Sequence, residues 1–467
     1  MGGSSLAPWC FNEVFGATGD HPAFSVLDST VPDDVLTVNA GTPLNHCLFI
    51  VSSKSGTTSE TDAFFDYFHD EVCARKEGAG DNFVIITDPG SPLLQTADER
   101  NVRAVFENWQ DIGGRYSALS YFGMVPAALM GLPLRRMIER AAEMATACSP
   151  EAPADENPGA ALGAFLGCCH EIGRDKVTFL TSRRLESFGD WAEQLLAEST
   201  GKDGKGLIPV VGEPPLEAEA YGDDRVFVCI CLEEDDLHRE LASELAELGH
   251  PVVSIRMADP VSIGAEMYRW EFATAVAGAM MGIDPFDQPN VQEAKSRTKA
   301  ALEQFIQSGK LPKQHADVEE GSIFHGDVRG AVHDLIDSIN PRDYFAIMGY
   351  LHHTEAVQDA IARIRVAVAA EKGVATTFGY GPRFLHSTGQ LHKGGPDSGV
   401  FLQLTESADQ GVTIPDAPYD FATLNNAQAA GDLAVLQERG RRVMRVDLGD
   451  DAATNLGRLV EMIIEAV

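Results

Sequence analysis

No apolar run in this chain approaches the roughly 20 residues that span a bilayer, no basic stretch followed by an apolar one opens it, and none of its eight cysteines forms a CxxC pair. On the first two lacks, neither a membrane-spanning helix nor a secretory signal of the usual kind is expected. The cysteines (Cys10, Cys47, Cys73, Cys148, Cys168, Cys169, Cys229 and Cys231) mostly sit inside apolar segments such as VFVCICL. They read as reduced, buried thiols of a cytoplasmic protein. Positive charge is also scarce: 36 Lys and Arg face 70 Asp and Glu, a net charge of −34. Such a field repels nucleic acid and anionic membranes, and neither is expected as a partner. It equally opposes a phosphorylated ligand, which would need locally placed N–H groups and a few cations.

What is present is ordinary for a globular protein, with 44% apolar and 8% aromatic residues. The 467 residues exceed one ordinary core and suit two or three domains. Short apolar runs alternate with amphipathic segments, the pattern of an α/β protein with doubly wound, mostly parallel sheets. The expected strands are LFIVSS, FVIITD and VRAVF, then VTFLTS, LIPVV, RVFVCIC and VVSIRM, then YFAIMGYL, VATTFGYG, VFLQLT and RVMRVDLG. Polar breaks at 149–160 and 309–322 divide them into units at 1–148, 161–308 and 323–467. The first two units read as similar lobes, which places a site between them.

The segment VSSKSGTTSET follows a buried-type strand and opens a helical pattern, with Gly56 permitting a tight turn. A helix N-terminus leaves N–H groups unpaired and carries partial positive charge, so it is suited to a phosphate. Ser53, Ser55, Thr57, Thr58 and Thr61 add hydroxyls at the same end. The bland alternative is plain N-capping, with Glu60 completing a capping box with Thr57. A second Gly/Ser turn, Gly2 to Ser5, could set Ser4 beside the same anion but is uninformative alone.

Three further segments carry candidate chemistry. Gly113 and Gly114 let backbone approach a ligand closely and present Arg115, which either neutralises charge developing on substrate oxygens or makes a surface ion pair. Glu198 ends an apolar helix face just before Gly201, with Gln194 one turn earlier on the same face. A carboxylate so placed is either a partly desolvated base or simply faces solvent. The helix after Asp284-Pro285 carries Gln288 and, about two turns on, Lys295, which reach one ligand from one face or are merely exposed.

Taken in order, these pieces resemble the phosphoglucose isomerase family. SSKSGTTSET looks like its phosphate-binding signature and GGRYSALSYFGMVPAALMG resembles its GGR(Y/F)S segment. QLLAESTGK is similar to its Q-x-x-x-ESNGK segment, and GIDPFDQPNVQEAK to its FDQ-x-GVE-x-x-K segment. GGSS fits the family's first phosphate loop without the strand that usually precedes it, so the resemblance implies a first lobe lacking its first strand. FGYGPRFLHSTGQLHKGGPDSGVFLQLT and QAAGDLAVLQERGRR are similar to the isomerase half of bifunctional transaldolase/phosphoglucose isomerase proteins.

The resemblance implies two sugar-isomerase (SIS) type lobes plus a C-terminal α/β region. It further implies interconversion of glucose 6-phosphate and fructose 6-phosphate through an enediol, in the cytoplasm, with no cofactor or metal, and a homodimer. It assigns phosphate binding to Ser53, Ser55, Thr58 and Thr61, with Ser4, Lys54 and Gly114 nearby. Glu198 becomes the base, Arg115 the stabiliser of the enediolate, Gln194 and Gln288 substrate holders, and Lys295 an aid to ring opening. The family's usual GTNGQH histidine segment is missing between the ESTGK and FDQ motifs, where only His238 and His250 occur. His386 or His392 is the expected replacement, the alternative being that both are structural or serve a dimer contact.

Overall fold

The computed structural model describes residues 2–467 apart from 17, 236, 313–327 and 409. Part of the second polar break and the start of the third expected unit therefore lie outside the described residues. Eleven strands are described, and each falls on one of the eleven apolar runs. They are β1 (Phe49–Ser52), β2 (Phe83–Thr87), β3 (Ala104–Glu107), β4 (Lys176–Thr181), β5 (Ile208–Val210), β6 (Arg225–Leu232), β7 (Val252–Met257), β8 (Tyr344–Tyr350), β9 (Ala375–Tyr380), β10 (Gly399–Thr405) and β11 (Arg442–Asp447). They form three all-parallel sheets, ordered β1-β2-β3, β5-β4-β6-β7 and β11-β10-β8-β9.

Parallel neighbours need crossovers, and the amphipathic segments between the runs supply them as helices. Central strands covered on both faces read as unbroken apolar runs: β6 and β10 are buried at every position. Helix starts are fixed locally by side-chain caps. Asn157, Thr354 and Asp420 accept from the N–H groups of Ala160, Val357 and Thr423. No helix among the described residues is long and apolar enough to cross a membrane.

The cores do not respect sequence order. The helix Gly3–Phe15 buries Leu6, Ala7, Cys10, Phe11 and Val14 in the core of the second sheet, against Trp191, Trp270 and Leu196. Conversely, Ala301 and Leu302 of the helix Val291–Ser308 join the core of the first sheet, together with Phe421, Leu424 and Ala427 of the helix Phe421–Glu438. Ile208 and Val210 of the second sheet share a further cluster with Tyr344, Ala375 and Phe401 of the third. Each sheet is thus tied to elements distant in sequence, which holds the segments carrying the site in one frame.

Phe11 is fully buried where the N-terminal helix meets the second sheet. Phe11→Ala should lower stability by about 3–5 kcal/mol in denaturant unfolding. A change below about 1 kcal/mol would mean that the helix does not dock there.

Candidate functional site

The turn after β1 is tight for a steric reason. Gly56 has φ +61°, and a Cβ there would lie 1.9 Å from Ser91 Oγ. Ser53 Oγ accepts from the Gly56 N–H at 3.1 Å and donates to Thr58 Oγ1 at 3.2 Å. Thr58 is the N-cap of the helix Ser59–Cys73 but makes no side-chain cap, and Thr61 is buried in the first turn. The capping box between Thr57 and Glu60 is not formed. Ser55 and Thr57 are exposed and bond to each other at 3.0 Å. Lys54 turns aside to Asp88 and to the Gln110 carbonyl, 2.9 Å away.

The N-terminal helix begins against this turn. Ser4 Oγ donates to the Ser52 carbonyl at 3.2 Å, and a Cβ on Gly3 would sit 1.8 Å from the Gly114 carbonyl oxygen. Two helix N-termini, at Gly3 and Ser59, therefore start beside one short stretch of chain. Ser4, Ser52 and Thr61 also line a cavity of about 390 Å³ whose wall is largely apolar. Arg115, Glu198 and His386 do not line that cavity, so it is not the place where those three groups act.

Arg115, 2% exposed, connects three of the remaining motifs. Its Nε donates to Ser199 Oγ at 2.7 Å, one terminal nitrogen to Gln288 Oε1 at 2.9 Å, and the other to the carbonyls of Pro285 and Asp287 at 2.6 and 3.0 Å. The first terminal nitrogen also lies 3.2 Å from Glu198 Oε1. A guanidinium offers five N–H donors, and here four hydrogen bonds and the Glu198 ion pair surround it. Glu198 is held from its other oxygen by Gln194 Nε2 at 3.0 Å, and the same nitrogen donates to the His386 carbonyl at 2.8 Å. Gln194 Oε1 is buried with no hydrogen-bond partner among the described residues, an acceptor directed into the cluster's surroundings.

The two candidate histidines part company. His386 Nε2 lies 3.0 Å from Glu60 Oε1, and that same oxygen accepts from Gln428 Nε2 at 2.7 Å. Burial pushes the Glu60 carboxyl up, but the charge and hydrogen bond of His386 outweigh it and hold the group down, from an ordinary 4.5 to about 2. His392 is buried between the rings of Phe384 and Phe401, and burial keeps its imidazole well below the usual range. It contacts none of the cluster and packs as a core residue. Lys295 is exposed on its helix, with no hydrogen bond or ion pair joining it to the cluster.

Sequence reasoning missed Glu60 and Gln428. Glu60 lies inside the SSKSGTTSET motif, but its spacing from Thr57 suggested a cap. Gln428 lies 368 positions from Glu60, and nothing local marks it. A carboxyl depressed in the folded state stabilises above its unfolded value and loses that contribution as pH falls toward the folded one. Glu60 should therefore contribute stability above pH 4.5 that disappears toward pH 2. Unfolding measured in pH steps should show a flatter acid limb for Glu60→Gln than for wild type, and parallel limbs would remove the His386 pairing.

Comparison with known proteins matches the profile of "Phosphoglucose isomerase" to residues 1–206. The chain is 27% identical over 338 residues to a "Probable glucose-6-phosphate isomerase" of Haloarcula marismortui, covering 65% of this chain and 76% of that one. It is 30% identical over 349 residues to a "Glucose-6-phosphate isomerase" of Citrifermentans bemidjiense, covering 65% of this chain but only 64% of the relative. Among solved structures, a hypothetical protein of Thermus thermophilus superposes with a TM-score of 0.58 at 25% identity, over 65% of this chain and 82% of that one. A glucose-6-phosphate isomerase of Chlamydia trachomatis shares the fold, with a TM-score of 0.53 at 21% identity over 67% and 69% of the two chains. The profile match takes in the phosphate-type turn, Arg115, Gln194 and Glu198, so it is residues 1–206 of this chain that are similar to phosphoglucose isomerases.

Proposed function

We propose that the protein interconverts glucose 6-phosphate and fructose 6-phosphate by moving a proton between C1 and C2 through an enediol. The observation that carries this reading is the contact of one buried guanidinium, Arg115, with both Glu198 and Gln288. Proton abstraction beside a carbonyl requires one positioned base and a nearby positive charge for the developing oxyanion. Glu198 is the base and Arg115 the charge. Arg115 is held by backbone carbonyls that cannot rotate away, so it needs little reorganisation when charge develops.

In this reading the phosphate lies at the Ser53 to Thr61 turn, among the Ser53, Ser55, Thr58 and Thr61 hydroxyls and the free N–H groups of the Ser59 helix, with Ser4 and Gly114 beside it. Gln194 and Gln288 hold sugar hydroxyls. Ring opening falls to His386, whose imidazole is oriented by Glu60, and not to the core residue His392 or the exposed Lys295. Units 1–148 and 161–308 supply the two lobes, and the C-terminal unit supplies His386. The likeness of that unit to transaldolase/isomerase fusions supports grouping the chain with their isomerase half.

Glu198→Gln should reduce isomerisation by about 10²–10⁴-fold in a coupled assay while phosphosugar binding survives. Near-normal turnover would reject the assignment, and binding with no exchange of the C2 hydrogen in wild type would point to a sugar-phosphate sensor instead. His386→Gln should slow turnover of the cyclic sugar by a similar factor yet leave the affinity for an acyclic sugar phosphate unchanged, since that ligand needs no ring opening. Equal losses in both would take His386 out of that step.

A further inference from the structure

The second sheet carries a feature that isomerisation does not use. Along β6, Val226, Val228 and Ile230 face the core shared with the N-terminal helix, while Phe227, Cys229 and Cys231 face the opposite side with Ala242 and Leu245. The two thiols are therefore on one face of one strand, with their Sγ atoms 3.4 Å apart and hydrogen bonded. They are not sealed in. A cavity of about 350 Å³ opens beside them, with Asp235, Arg239, Ser243 and Arg256 around it.

We infer that Cys229 and Cys231 form a dithiol site for a soft centre satisfied by two thiolates, the class represented by trivalent arsenic bearing one organic substituent. The separation of the sulfurs decides among the alternatives. With bonds to sulfur of about 2.3 Å, a bent S–M–S unit spans roughly 3.4–3.8 Å and a linear one about 4.6 Å. The observed 3.4 Å fits the bent unit without backbone movement. Same-face neighbours on a strand lie about 6.6 Å apart at Cα, near the upper end of the roughly 4.4–6.8 Å range that disulfides tolerate, so chelation is the easier use of the pair. Zinc and similar tetrahedral ions need further ligands, and no group of three or more His, Cys, Asp or Glu that could hold a metal occurs among the described residues. A mono-organic arsenic needs only the two.

The reaction balances without an oxidant. Two S–H groups attack an organoarsenic(III) oxide, two arsenic–sulfur bonds replace the arsenic–oxygen bond, and both protons leave with the oxygen as water. Cys231 is suited to make the first bond. Its hydrogen bonds with Cys229 and Ser182 hold its thiol below the usual range, against the opposing effect of burial.

The test uses the whole chain and phenylarsine oxide. Intact-mass measurement should show one arsenical per chain with loss of one water, peptide mapping should place it on residues 225–232, and 1,2-ethanedithiol should reverse it where the same concentration of a monothiol does not. Cys229→Ser and Cys231→Ser should each weaken binding by at least about 100-fold, because the second bond gains from being intramolecular. Cys168→Ser, at an exposed thiol elsewhere in the chain, should leave it unchanged. No adduct in wild type, or an adduct mapped to any other cysteine pair, overturns the assignment. Both results are read on unsubstituted protein, so a variant that fails to fold does not obscure them.

Discussion

A buried guanidinium is costly unless every donor finds a partner, and the arrangement around Arg115 depends on that constraint. Its partners are drawn from two places far apart in sequence, Glu198 and Ser199 at the end of one helix and the Pro285 to Gln288 turn, while Arg115 itself follows the Gly113-Gly114 loop. Each must keep its geometry for the charge to remain satisfied. Tyr116 adds to the same knot, with its hydroxyl 3.0 Å from Ser199 Oγ. Gly3 packs on the Gly114 carbonyl so closely that any side chain there would displace it, which links the N-terminal helix to the same point. The requirement of one cation thus fixes the relative placement of the segments that carry the proposed chemistry.

Much of the fold was legible because buried parallel strands write themselves as apolar runs: VFVCIC and VFLQLT could hardly be anything else. The crossovers followed from amphipathic segments such as EAVQDAIARIRVAVAAEKG, which is the helix Glu355–Lys372. The interleaving of the cores was not legible. Nothing in GSSLAPWCFNEVF says that it packs on the second sheet instead of the first, because apolar periodicity specifies a face and not its partner.

The site divides in the same way. Arg115, Glu198, Gln194 and Gln288 stand in short motifs and meet in space. His386 and His392 are close neighbours in one Gly-rich segment, and composition could not separate them. Their surroundings do, since one meets a carboxylate and the other two phenyl rings. Lys54 illustrates the converse: a lysine inside a phosphate-type motif is drawn off by Asp88 across the turn.

The Glu60 carboxylate has a further consequence in the order of synthesis. Its two partners, His386 and Gln428, follow it by 326 and 368 residues. A chain made from its N-terminus can close the Arg115 knot once Gln288 has emerged. Until the short turn Arg383–His386 and the helix Phe421–Glu438, which bear His386 and Gln428, have also folded, Glu60 remains an unpaired charge at a helix start. The nascent protein therefore acquires its proposed proton-transfer base well before the histidine that would open the ring, and completion of the C-terminal unit sets when the two can work together.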